Sequence, residues 1–204
     1  MNHIRIAAIV EGQGEVEAVP ILIRRIAIEA AIHSKIEINP ILRVPANRLI
    51  KPGELERTVD LSARKLEGKG GIFVLIDCDW EDCCPKFDGP DLSDRATNAR
   101  PDHPVSLVLA NKEYESWFIA GAGSLQEIGM LSMDLEYVHD PENIRGAKEW
   151  ISRHMPKSQP YKETLDQPAL TQKLNLQDAR RARSFDKCYR EIKGLLERLA
   201  SEPE

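Results

Sequence analysis

The chain has 204 residues, of which 42% are hydrophobic and 30% charged, and a formal net charge of −5. That length supports one sizeable domain with a true core, with room for a small appendage, in the composition range of ordinary soluble globular proteins. No apolar run approaches the roughly 20 residues that a bilayer-spanning helix needs, and the negative balance argues against a protein that coats nucleic acid through bulk charge.

The first predicted element is the apolar run Ile4–Val10, "IRIAAIV", which suits a strand covered on both faces. Val19, Leu22, Ile23, Ile26, Ala27 and Ala30 then fall at helical spacing. Pro20 is tolerated best in a first turn, so this helix is expected to begin near Glu17 or Ala18. Ile36–Val44 reads as a second strand, with Pro40 marking it as an edge or a bulge. Leu55, Val59, Ala63 and Leu66 predict a helix that ends at Gly68 and the Gly70-Gly71 pair. Ile72–Ile76, "IFVLI", predicts a central strand. Residues 81–104 read as a long polar loop with one helical turn near Ser93–Ala99, and Val105–Ala110 as a fourth strand. A helix from Tyr114 to Ala120 should stop at Gly121 and Gly123. Beyond it, helices are expected at Ile144–His154, Leu170–Leu174 and Ser184–Leu199, the last with Phe185, Tyr189, Ile192, Leu196 and Leu199 on one stripe. Strands alternating with helices predict an α/β fold with a mainly parallel four-strand sheet, followed by a helical C-terminal part.

The carboxylates follow the strands. Glu11 comes directly after the first, with Gly12, Gly14, Glu15 and Glu17 next; Asp77-Cys78-Asp79 follow the third; Glu113 and Glu115 follow the fourth. The C-terminal ends of parallel strands share one edge, and ligands bind in the crevice outside it. Gathered acids repel one another, and a hard divalent cation resolves the conflict: Mg²⁺ takes carboxylate oxygens and commonly phosphate oxygens too. With two ions such a cluster could carry in-line phosphodiester cleavage. Glycine at position 17 would be needed for GxGxxG, and GxxxxGK[ST] is absent, so the glycine loop reads as a tight turn that presents Glu11 and Glu15. For Glu17 the simpler account is placement at a helix N-terminus, worth a few tenths to about 1 kcal/mol; Glu15 is open between that and metal binding. Alternation places Asp77 and Asp79 on one side of an extended chain. Glu115 is favoured over Glu113, Trp117 is expected in the core, and Lys112 is either a phosphate contact or an exposed lysine.

These residues resemble the TOPRIM fold shared by topoisomerases, DnaG-type primases and OLD-family nucleases. Val10-Glu11-Gly12 with Glu15, and Leu75-Ile76-Asp77-Cys78-Asp79, carry the resemblance. The "VEGxxE" form looks closest to OLD-like nucleases. The segment Lys112–Phe118 is similar to small standalone TOPRIM-like proteins often paired with an ATPase in bacterial defence loci. The resemblance covers about residues 3–121, so residues 1–124 read as a Rossmann-like TOPRIM domain and 125–204 as a helical extension packed on it. It implies that Glu11 is the general acid/base or a metal ligand, that Asp77 and Asp79 hold Mg²⁺ or Mn²⁺, and that phosphodiester bonds are broken. Glu15 and Glu115 complete the expected metal set. Nuclease action on DNA or RNA, with an ATPase as partner, is the implied function. The alternative is a catalytically inactive interaction or regulatory subunit, and a small-molecule phosphohydrolase is a third reading.

Charge is unevenly spread. Residues 1–140 hold 15 Lys+Arg and 23 Asp+Glu; residues 141–200 hold 13 and 8. A polyanion could dock on this basic back, with Arg180 and Arg183 as phosphate contacts, or the basic face could simply be solvated. The four cysteines include Cys78, Cys83 and Cys84 without two CxxC pairs. They are expected as reduced thiols, with zinc bound together with a distant histidine as the alternative. With no signal-peptide pattern at the N-terminus, a cytoplasmic location is expected.

Overall fold

The side chains of β1 (His3–Val10) divide between two cores. Ile4, Ile6, Ala8 and Val10 join one, Ala7 and Ile9 the other. β3 (Gly71–Asp77) divides in the same way, with Phe73 and Leu75 on the first side and Ile72, Val74 and Ile76 on the second. Strands buried on both faces need apolar residues at nearly every position, which explains the unbroken runs. With β2 (Lys35–Arg43) and β4 (Val105–Ala110) they form one four-stranded, all-parallel sheet in the order β2-β1-β3-β4. The computed structural model describes residues 3–66, 68–156 and 160–201.

The helices are α1 (Glu15–Glu29), α2 (Ala46–Leu49), α3 (Glu54–Lys65), α4 (Asp88–Ala99), α5 (Glu115–Ala120), α6 (Ala122–Glu127), α7 (Ala147–His154), α8 (Glu163–Lys173), α9 (Leu176–Ala179) and α10 (Arg183–Ser201), with a 3₁₀ turn at Pro141–Asn143. α1, α8 and α10 contribute to the core on one face of the sheet, and α3 and α4 to the core on the other. The predicted stripe of α10 is buried in full: Phe185, Tyr189, Ile192, Leu196 and Leu199. The result is a Rossmann-like α/β fold whose C-terminal helices complete its core.

Pro40 lies, as its chemistry demands, on an edge strand, beside a register shift in which Ile6 pairs with Ile38 but Ala8 with Ile41. Four expectations need correction. α1 starts at Glu15, so Pro20 stands inside the helix. An internal proline costs about 3 kcal/mol, and the burial of Val19, Leu22, Ile23 and Ile26 against the sheet outweighs it. Residues 88–99 form three turns of helix, because Pro90 falls in a first turn where no N–H is required, and Leu92 and Ala96 suffice as the apolar contacts. Gly123 lies within α6, and only Gly121 marks a break. α8 begins at Glu163, well before Leu170, and carries Pro168 in its interior. Among the thiols, Cys78 and Cys83 are joined in a disulfide (Cα–Cα 5.6 Å), and Cys84 and Cys188 are free.

Candidate active site

In the strand order β2-β1-β3-β4, the chain leaves β1 toward β2 and later returns on the other side of β1. The topological switch point, where open α/β sheets place their ligands, therefore lies between the carboxyl ends of β1 and β3. Glu11 follows the first of these strands and Asp77 ends the second.

Glu15, the first residue of α1, turns its side chain back beneath the loop. Its Oε2 accepts hydrogen bonds from the amides of Glu11 at 2.9 Å and Gly12 at 3.2 Å. Asp77 Oδ1 accepts from the Tyr114 amide at 3.1 Å. Glu115, the first residue of α5, has no solvent exposure. Its Oε1 accepts from the Tyr161 hydroxyl at 2.7 Å and from Gln167 Nε2 at 3.4 Å, while its Oε2 is buried without a partner. Glu11 is half-buried, and its Oε2 is likewise buried and unpartnered.

Neither loop glycine has a positive φ, so a left-handed turn is not what requires them. α8 is. A Cβ on Gly14 would stand 2.6 Å from the Glu163 carbonyl oxygen and against the Gln167 side chain; one on Gly12 would stand 2.7 Å from Glu163 Oε1. The Gly14 amide donates to that same Glu163 Oε1 at 3.3 Å.

Burial and mutual repulsion make these acids reluctant to ionise. Glu15 is pushed up to about 7 by burial and by the nearby Glu115 and Glu11 charges, against the two loop amides that favour its anion. Glu115 is also pushed up to about 7 by burial, with Lys148 and the Tyr161 hydroxyl opposing the shift. Burial, then Glu15, Glu115 and Glu11, hold Asp77 well above the usual carboxylate range. Glu11 is raised by burial and by Asp79, while the Ala46 and Asp77 backbone groups and Lys148 oppose this. Burial disfavours the Lys148 ammonium, but Glu115, Glu163 and Asp77 together raise it above its ordinary value. Its Nζ lies 3.4 Å from Glu163 Oε2, and its backbone amide donates to Glu113 Oε2 at 3.3 Å.

The structure thus brings together Glu11, Glu15, Asp77 and Glu115 from the expected set. Asp79 is exposed and reaches the group only as a charge acting on Glu11. Glu17 is exposed in the first turn of α1. Lys112 and Arg183 are exposed, whereas Arg180 bonds Asp186 at 2.7 Å and lies over the Tyr189 ring. Sequence reasoning missed Lys148, Tyr161, Glu163 and Gln167, none of which follows a strand. The basic balance of the chain's second part pointed toward Lys148 alone, and no periodicity or motif marked the other three.

Among the described residues, no group of three or more His, Cys, Asp or Glu side chains is arranged to hold a metal ion. The donor chemistry nevertheless fits a hard divalent cation: the acids are carboxylates, they repel one another, and two of their buried oxygens lack partners. Glu11, Asp77 and Glu115 are the residues that would hold it, after a rearrangement that draws their carboxylates together, with Glu15 beneath the loop.

A parallel Rossmann-like sheet with buried carboxylates at its switch point defines the class, an α/β protein with an acid-lined site. The chain belongs to the family described as a domain of unknown function, DUF4276, whose family model matches residues 10–193. No curated protein and no solved structure matches it.

Proposed function

We propose that this protein is a metal-dependent phosphodiesterase acting on nucleic acid, a nuclease of the TOPRIM type using Mg²⁺ or Mn²⁺. The observation that carries this reading is the set of carboxylates at the β1/β3 switch point, three of them buried, with two orphaned oxygens on Glu11 and Glu115. Bound there, a divalent ion would polarise a phosphodiester and activate water. Glu11 is the acid best placed to move a proton: it is only half-buried, it has a free oxygen, and its raised proton affinity brings it closer to neutral pH. Glu15 fixes the loop that presents Glu11 through its two amide contacts. Lys148 supplies positive charge that partly offsets the rise in proton affinity of Glu115 and Asp77.

Cleavage of labelled DNA and RNA oligonucleotides with either metal tests the reading. Wild type is expected to cut, and Glu11→Gln to lose about 10²-fold or more, the usual contribution of a general base. Wild-type protein inert with both metals, or an equally active Glu11→Gln, would overturn it.

A second reading, a non-catalytic regulatory or scaffolding subunit, draws support from one observation. Glu15 and Glu115 already have partners within the protein, and the acids are not preassembled as a ligand group. Under that reading Mg²⁺ adds no thermal stability.

A further inference from the structure

Phe87 is 72% exposed, with the Lys86 ammonium 5.7 Å from its ring centroid. It is not a loose loop residue. Its amide and that of Asp88 both donate to the Cys84 carbonyl, the Cys84 amide donates to Asp88 Oδ2 at 2.7 Å, and the Cys78–Cys83 disulfide ties this turn to the end of β3. The backbone that carries the ring is therefore tied to the chain that follows Asp77.

A line of cations continues from it. Lys187 Nζ lies 3.7 Å from where a Cβ on Gly89 would stand, two residues after Phe87. One turn earlier on α10, Arg183 is exposed and, with Arg181, lines a polar cavity of about 350 Å³ whose two carboxylates are engaged within the protein, Glu142 accepting from the Ser184 amide and Asp140 from Asn143. Asn111 follows Ala110, the β4 partner of Asp77, and its amide donates to Ser184 Oγ at 3.2 Å. Lys112 is next. Among the described residues, Arg183, Lys187 and Lys112 make no ion pair, whereas Arg48, Arg57, Arg64, Arg95, Arg100, Arg180 and Arg190 are paired with carboxylates.

We propose that the acid site is served by a path for single-stranded nucleic acid, its backbone running along Lys187, Arg183 and Lys112 and one base stacked on Phe87. The assignment of that strand as substrate rests on the nuclease reading above. Free cations and an exposed aromatic ring on an anchored turn are what unpaired nucleotides require: the charges track the phosphates and the ring takes a base face. A duplex would gain only the charges, because its base faces are already stacked. With a net charge of −5 on the whole chain, binding depends on these few side chains rather than on overall charge.

Fluorescence anisotropy tests the path, using a labelled oligonucleotide of about 12 residues, within the range of single-strand site sizes. DNA and RNA, each single-stranded and duplex, are measured in chelator so that binding is read without cleavage. A single strand of either sugar should bind at least tenfold tighter than its duplex. Phe87→Ala should weaken single-strand binding by about tenfold, Phe87→Trp should retain it, and the ratio for duplex should not move. Arg183→Ala with Lys187→Ala should make the slope of log affinity against log salt shallower by about 1.4, two phosphates at about 0.7 each. Equal affinity for duplex with no effect of Phe87→Ala, or no binding of any form, overturns the path. Parallel assays with Mn²⁺ separate it from the nuclease reading. Single-strand cleavage undiminished in Phe87→Ala keeps the nuclease and removes the path. Phe87-dependent single-strand binding without cleavage keeps the path and removes the nuclease.

Discussion

Glu115 sits with no solvent exposure, one oxygen unpaired, and Glu15 and Asp77 close enough to feel its charge. Its proton affinity rises from the ordinary 4.5 to about 7 on folding. Between those values the folded chain keeps a proton that the unfolded chain has released. This contribution to stability is therefore fully present below about pH 4.5 and is lost as pH rises through 7. Glu15 acts in the same direction and over the same window. The metal-free protein should thus melt at lower temperature at about pH 8 than at about pH 5.5, by on the order of 2 kcal/mol in unfolding free energy. Glu115→Gln keeps an acceptor for Tyr161 and removes the charge, so it should flatten that decline and melt higher than wild type at the alkaline end. Thermal melts across this range check both statements. A second residue-scale prediction concerns Gly14. Gly14→Ala would force α8 away from the loop, at about 1–3 kcal/mol, the usual range for overpacking; urea unfolding reads that loss. Gly53→Ala is no control, because its φ of 82° strains any side chain. Gly123→Ala meets nothing within 4 Å and should be close to neutral or slightly stabilising.

At the level of elements, α10 lays a buried stripe across the sheet, with Leu195 and Leu199 so near Gly71 that a Cβ there would stand 2.8 Å and 3.0 Å from their methyl groups. Leu196→Ala should cost about 2–5 kcal/mol, the range for emptying a core leucine site, measurable as a lower denaturation midpoint with the sheet's circular dichroism retained below it. The stripe was readable beforehand because Phe185, Tyr189, Ile192, Leu196 and Leu199 repeat at helical period. β1, β3 and β4 were readable for a related reason: their burial on both faces leaves unbroken apolar runs, whereas the edge strand β2 showed a broken run with Pro40 in it. α4 and α8 were largely hidden. Each buries few apolar side chains and carries a proline, Pro90 in the first turn of α4 and Pro168 inside α8, where local propensity argues against a helix. For the site, the strand-end carboxylates were legible because parallel topology places every C-terminal strand end on one edge. Lys148, Tyr161 and Gln167 were not, because they arrive from α7, α8 and the chain between them, and only tertiary packing brings them to Glu115.

Across the whole molecule, the sheet order and the charge layout have a shared consequence. The N-terminal part supplies the acids, and the later helices close over them and bring one lysine, so the site exists only when both parts of the chain are folded together. A divalent ion at that site must displace protons held by the raised carboxylates, so its binding should release protons near neutral pH and stabilise the fold more at about pH 8 than at about pH 5.5. The most direct measurement is calorimetric titration of Mn²⁺ into the protein near pH 7 in two buffers of different ionisation enthalpy, for wild type and Asp77→Asn. The account predicts saturable binding to wild type, with heats that differ between buffers because protons leave, and loss of that binding in Asp77→Asn. No saturable binding to wild type, or binding that Asp77→Asn leaves unchanged, would contradict a metal site at the β1/β3 switch point.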